Sequence, residues 1–184
     1  MPDSTLQEFK GLPKDHQDAV ALVQKQLKES LASLDRRAEA LGREGTHRRR
    51  VAIFLKVVSI LSGFVIATGF LQQSIVQILG GVVPIVAALE RAFANLSRLL
   101  AVSAAKNAYE RVRRQTVAQH DREIIAVIKI RDREPEKAAN RLISFVGKLR
   151  DRLAATEVEI EDKLAKNDYD SLGRLALEED AQQA

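Results

Sequence analysis

Thirty-three consecutive residues, 57–89, lie between Lys56 and Glu90 without a single Asp, Glu, Lys or Arg. Elsewhere the chain is heavily charged, since 29% of its 184 residues are acidic or basic. An ion-free gap this long therefore limits where the segment can reside. Its first half, VVSILSGFVIATGFL (57–71), is apolar or small throughout. Gln72-Gln73-Ser74 follows, and the second half, IVQILGGVVPIVAAL (75–89), contains one strongly polar residue, Gln77. With Val51–Lys56 added, the first half makes a 21-residue helix, long enough for a hydrocarbon core of about 30 Å. The second reaches similar length by continuing to Phe93, with Glu90 and Arg91 near the interface.

Two such helices joined by a short polar turn form a transmembrane hairpin. Arg48, Arg49 and Arg50 precede the first helix, and Arg91, Arg98 and Lys106 follow the second, whereas the turn at 72–74 has no charge. The positive-inside rule then places both termini in the cytoplasm of the cell and the turn outside, with the arginines at the inner leaflet. A cleaved signal peptide does not fit, because some fifty mostly polar residues precede the apolar block. The competing arrangement is a soluble bundle whose central hairpin is enclosed by protein. A soluble helix normally keeps one polar face, and neither half has one.

Several residues in the hairpin invite specific roles. Ser59, Gly63 and Ala67 recur every fourth position, a small-residue stripe that lets membrane helices approach closely. Gly80, Gly81 and Pro84 fall within five residues; the proline ring crowds the carbonyl of Gly80, so a kink, a hinge or a pore constriction is expected there, beside Gln77. Lys56 and Glu90 each lie 17 residues from Gln73 and so match in depth in a simple hairpin. They either pair at the interface or extend separately toward headgroups.

The flanks read as long amphipathic helices. Residues 1–46 form an N-terminal cytoplasmic segment in which Val20, Val23, Leu27, Leu31, Leu34, Ala38 and Leu41 repeat at spacings of three and four, an apolar seam that needs a partner helix. Gly42 and Gly45 are expected to end or bend it. Residues 47–93 are the hairpin, with helices at about 51–71 and 75–93. Residues 94–184 form a cytoplasmic extension. Its first helix is expected to continue from the hairpin as one rod to about residue 134, because nothing breaks it strongly before Pro135. A second helix, about 136–166, carries Leu142, Phe145, Leu149, Leu153, Ile160 and Leu164 on one stripe; Asn167-Asp168-Tyr169-Asp170 stops it, and the Glu/Gln-rich end, 178–184, is expected to form a frayed tail. The fold class is all-α: a membrane hairpin bearing a helical bundle or coiled coil, with oligomerisation of the chain expected.

The chemical inventory is sparse. Absence of Cys removes disulfides and thiolate chemistry, and His16, His47 and His120 are far apart in sequence. Arg111, Arg113 and Arg114 could touch phosphates, but aromatics are 4% of residues, too few to stack bases, and a solvated or inner-leaflet face accounts for the run better. His120-Asp121 beside Arg122-Glu123 is an acid/base cluster on paper only, since adjacent helical residues diverge by about 100°. No phosphate-loop motif is present. Neither enzyme activity, a metal, a cofactor nor a nucleic acid partner is expected.

The sequence His47–Ile53, the 57–89 hairpin and the extension from Leu96 to Gln115, with Tyr109-Glu110-Arg111, together resemble the SLATT-type two-transmembrane effectors of bacterial conflict systems. The resemblance covers about half of the chain and rests on topology and composition. It implies an inner-membrane effector of antiviral defence that oligomerises into a pore or otherwise disrupts the bilayer, triggered by an associated sensor protein or nucleotide signal. It transfers no individual functional residue. The alternative is a membrane-anchored adaptor that recruits a soluble partner through its helices.

Overall fold

The computed structural model describes residues 14–67, 73–131 and 133–181, with side chains for all of these except 65–67, 73–80, 82 and 176–181. The described residues are all-α. They form α1 (Lys14–Ala67), α2 (Gln73–Phe93), α3 (Leu96–Arg131), α4 (Pro135–Ala165) and α5 (Tyr169–Ala181).

The 54 residues of α1 make a rod of about 80 Å. Its first half supplies the seam read from the sequence: Val20, Leu27, Leu34, Ala38 and Leu41 are buried, with Val23 and Leu31 packed beside them. The partner helices come from the same chain, since α1 packs on both α3 and α4. Small residues on α3 (Ala101, Ala105 and Ala108) meet this seam, while α4 brings the larger Leu142, Val146, Leu149, Leu153 and Ile160. Phe145 and Leu164, expected on the α4 stripe, are only partly buried at its margin.

Gly42 and Gly45 do not end α1, which continues through both. A glycine inside a helix costs about 1 kcal/mol relative to alanine, a cost that the buried seam on the same helix outweighs. A Cβ on Gly42 would lie 3.6 Å from the Lys106 side chain, and one on Gly45 would lie 3.6 Å from Val102 Cγ1, ordinary van der Waals separations. Both glycines line a cleft between α1 and α3. The N-terminal segment and the first apolar half, expected as separate units meeting near residue 46, are thus one continuous helix.

The rod expected from the second apolar half into the extension is interrupted. α2 stops at Phe93, and α3 restarts at Leu96. Asn95 explains the restart: its Oδ1 accepts from the backbone N–H of Arg98 at 3.1 Å, capping the new helix. The boundary at Glu134-Pro135 is as expected, with Pro135 opening α4. α4 stops before Asn167-Asp168-Tyr169-Asp170 as expected, and a further, unexpected helix opens there. Asn167 adopts a left-handed φ of 55°, and Asp168 Oδ1 accepts from Ser171 N–H at 3.0 Å to start α5. Leu172 then inserts fully into the core.

Candidate functional site

Burial changes abruptly along α1. Below Leu41 the seam is covered by α3 and α4, but from Gly42 to Leu100 no described hydrophobic residue belongs to the core. Of the fourteen large hydrophobic side chains exposed among the described residues, ten lie between Ile53 and Leu100. Phe54 is 66% exposed and Phe64 67%, with Val57, Ile60, Leu61, Ile85, Leu89 and Leu96 also outward. The α1 and α2 segments pack on one another, and among the described residues the apolar side chains from Ile53 to Leu100 away from that contact are largely exposed. Scattered exposed hydrophobics are ordinary, whereas a contiguous belt of them marks an interaction surface. The polar helices do not wrap this pair.

At the base of the belt the charges divide into two groups. Glu44, half-buried, accepts from Arg48 Nε at 2.9 Å and lies 3.5 Å from Arg98 Nη2. Arg98 also donates to the carbonyl of Leu164 at 3.1 Å, at the end of α4. Arg98 thus ties α1, α3 and the α4 terminus together, adding a second donor to a carbonyl that already accepts from Asn167 N–H at 3.1 Å. Arg48 and Arg98 are accordingly part of the fold. Arg49, Arg50 and Arg91 are exposed, and no acid among the described residues pairs with them. The arginine triplet read as one topology signal therefore contributes one structural residue and two outward cations.

The remaining sequence candidates fare unevenly. Lys56 is exposed and Glu90 half-exposed, and among the described residues the two form no ion pair; separate extension is what their positions provide. Among the described residues, nothing lies within 4 Å of a Cβ position on Gly63 or Gly81. The side chains of Ala67 and Gln77, the surroundings of Gly80, and the connection at 68–72 lie outside the described residues. Gln73 and Ser74, expected in the turn, already belong to α2. Pro84 is exposed within the same helix, which runs unbroken from Gln73 to Phe93. Arg113 pairs with Asp35 at 2.7 Å, Arg114 donates to the Glu110 carbonyl at 3.3 Å, and Arg111 also has a partner. The Arg113–Asp35 pair ties the run to another helix, α1. No cluster of His, Asp and Glu able to hold a metal occurs among the described residues.

One polar cluster was not anticipated. Tyr109, 2% exposed in the core, hydrogen-bonds Arg37. Arg37 in turn meets Glu157 at 2.5 Å and also contacts Glu161. Three helices therefore join through one guanidinium. Burial pushes the Tyr109 phenol above its ordinary 10.0, partly offset by the adjacent Arg37 cation. The available signal was a lone tyrosine on an alanine-rich face, which composition alone does not distinguish from packing.

No family model, curated protein or solved structure matches the chain. Among the described residues, no helix is long and apolar enough to cross a membrane.

Proposed function

We propose that the chain is a bacterial inner-membrane effector whose apolar α1–α2 hairpin lies in lipid and whose helical bundle remains cytoplasmic. In this reading it oligomerises and permeabilises the bilayer when an associated sensor or nucleotide signal releases it, in the manner of the SLATT-type antiviral effectors it resembles. The observation that carries the membrane part is the uncovered apolar belt from Ile53 to Leu100, with Arg49, Arg50 and Arg91 unpaired at its base. The uncharged run, 57–89, extended back to Val51 and on to Phe93, gives segments 51–71 and 75–93 within the range that spans a bilayer, about 17–25 residues. Contact with water would leave this belt as an aggregation surface, whereas lipid leaves it with a matched solvent. The orientation has both termini in the cytoplasm, because the outward cations gather at one end of the hairpin.

Induced expression should depolarise the inner membrane of a triggered culture, read with a potential-sensitive dye. Unchanged potential with the protein confirmed in the membrane fraction counts against the effector. The second reading, a passive anchor for an adaptor bundle, is favoured by the unbroken passage of α2 through the exposed Pro84. Replacing Gly80, Gly81 and Pro84 by Leu separates the two: an anchor retains localisation and function, while a gated pore loses activity.

A further inference from the structure

A cleft of about 410 Å³ lies between α1 and α3 directly below the apolar hairpin. Its lining is amphiphilic. Arg49 and Lys106 provide two cations, Thr46 and Ser103 two hydroxyls, and Leu41, Leu99 and Val102 the apolar surface. No carboxylate lines it. Lys106 has an acidic neighbour, Glu110, at 3.5 Å and one turn further along α3, outside the cleft lining. The space exists because Gly42 and Gly45 face it without side chains.

We propose that this cleft binds the phosphodiester headgroup of an anionic phospholipid of the phosphatidylglycerol class. The proposal rests on the membrane reading above and assigns its first specific lipid site. Arg49 and Lys106 neutralise the phosphate charge and donate hydrogen bonds to its oxygens. The Ser103 hydroxyl donates to a remaining phosphate or glycerol oxygen. The Thr46 hydroxyl already donates to the Gly42 carbonyl at 2.8 Å, so it serves as an acceptor toward the glycerol hydroxyls. Arg49 stands two residues before the first apolar residue of the hairpin, Val51, which sets the cleft at headgroup depth. Leu99 continues toward the exposed Leu96 and Leu100, giving an acyl chain an apolar exit. A free phosphate ion would leave that apolar side unused, so the lining favours the lipid.

The test uses the full chain in neutral detergent micelles doped with equal mole fractions of phosphatidylglycerol or phosphatidylcholine. Bound phospholipid is counted by phosphorus analysis after micelle exchange, and thermal midpoints are followed by circular dichroism at 222 nm. Wild type should retain phosphatidylglycerol saturably and melt higher with it than with phosphatidylcholine. Arg49→Gln and Lys106→Gln should each weaken retention about tenfold, the consequence of losing a charge-assisted hydrogen bond. Gly45→Leu, which fills the cleft and alters no charge, should do the same; if that variant fails to fold, the exposed Arg49→Gln decides. Equal retention of both lipids overturns the site, as does retention that survives Arg49→Gln. An equal midpoint rise with inorganic phosphate alone reassigns the cleft to a free anion and overturns the lipid. Flotation of wild type with phosphatidylcholine vesicles separates the two levels. A chain that floats without lipid preference loses only the headgroup site, and one that never floats loses the membrane reading itself.

Discussion

Leu34→Ala tests whether the α1 seam closes within one chain. Leu34 is 2% exposed and sits between α3 and α4 near the middle of the buried row Leu27, Leu34 and Leu41. Burial of a leucine side chain contributes about 1.5–3 kcal/mol by transfer alone, and truncation to alanine adds a cavity term, for a total of about 2–5 kcal/mol. With a central loss of about 3 kcal/mol, and about 2–4 °C per kcal/mol for a chain of this size, the thermal midpoint should fall by about 6–12 °C. Circular dichroism at 222 nm in neutral micelles measures it. Phe54→Ala is the control: that ring is 66% exposed on the belt, so the bundle should melt as before. A seam closed within the chain also gives a midpoint independent of protein concentration. A Leu34→Ala drop under 2 °C, or a wild-type midpoint that climbs with concentration, would refute the intramolecular packing.

Three further outcomes follow from the polar contacts. Tyr109→Phe should destabilise the bundle by about 1 kcal/mol through loss of the hydrogen bond to Arg37. Because burial raises the Tyr109 pKa above 10.0, its contribution is complete below pH 10 and is lost as pH rises through the folded value; wild type should therefore lose more stability above pH 10 than Tyr109→Phe, which melts under denaturant titration would reveal. Glu44→Gln should release both Arg48 and Arg98 and lower stability by about 1 kcal/mol, an effect that 0.5 M salt should shrink. Ser171 hydrogen bonds hold the Asp168 carboxyl below its ordinary 3.8, so the start of α5 should open as pH falls through that lowered value, and amide exchange at Ser171 should quicken there in wild type but already at neutral pH in Asp168→Ala.

The seam was legible because periodicity reports burial directly: Val20, Leu27, Leu34 and Leu41 are seven residues apart, and each is buried. Pro135 likewise marked its boundary, since backbone sterics act locally. Gly42 and Gly45 misled for a reason that lies in tertiary structure. Their cost in an isolated helix is real, but the buried seam on α1 outweighs it, and the missing side chains leave a cleft against α3. Asn95 and Asp168 were overlooked as helix starts because a single capping residue is a weak signal within otherwise helical sequence. Their oxygens nonetheless set where α3 and α5 begin. For the candidate site, the apolar gap was plain in the sequence. Glu44 and Arg48 stand one helical turn apart, so their pairing was readable from spacing alone; that Arg98 of α3 joins the same carboxylate depends on how α1 and α3 pack, which spacing does not report.

The central claim is that the belt on α1 and α2 meets lipid while the bundle meets water. Because the chain has no cysteine, single spin labels can be placed without background, at Phe64 on the belt and at Val158 on α4, which are 67% and 66% exposed. In phospholipid vesicles the label at Phe64 should relax strongly with oxygen and weakly with a water-soluble nickel chelate, and the label at Val158 should do the reverse. Equal nickel access at both positions would contradict the account.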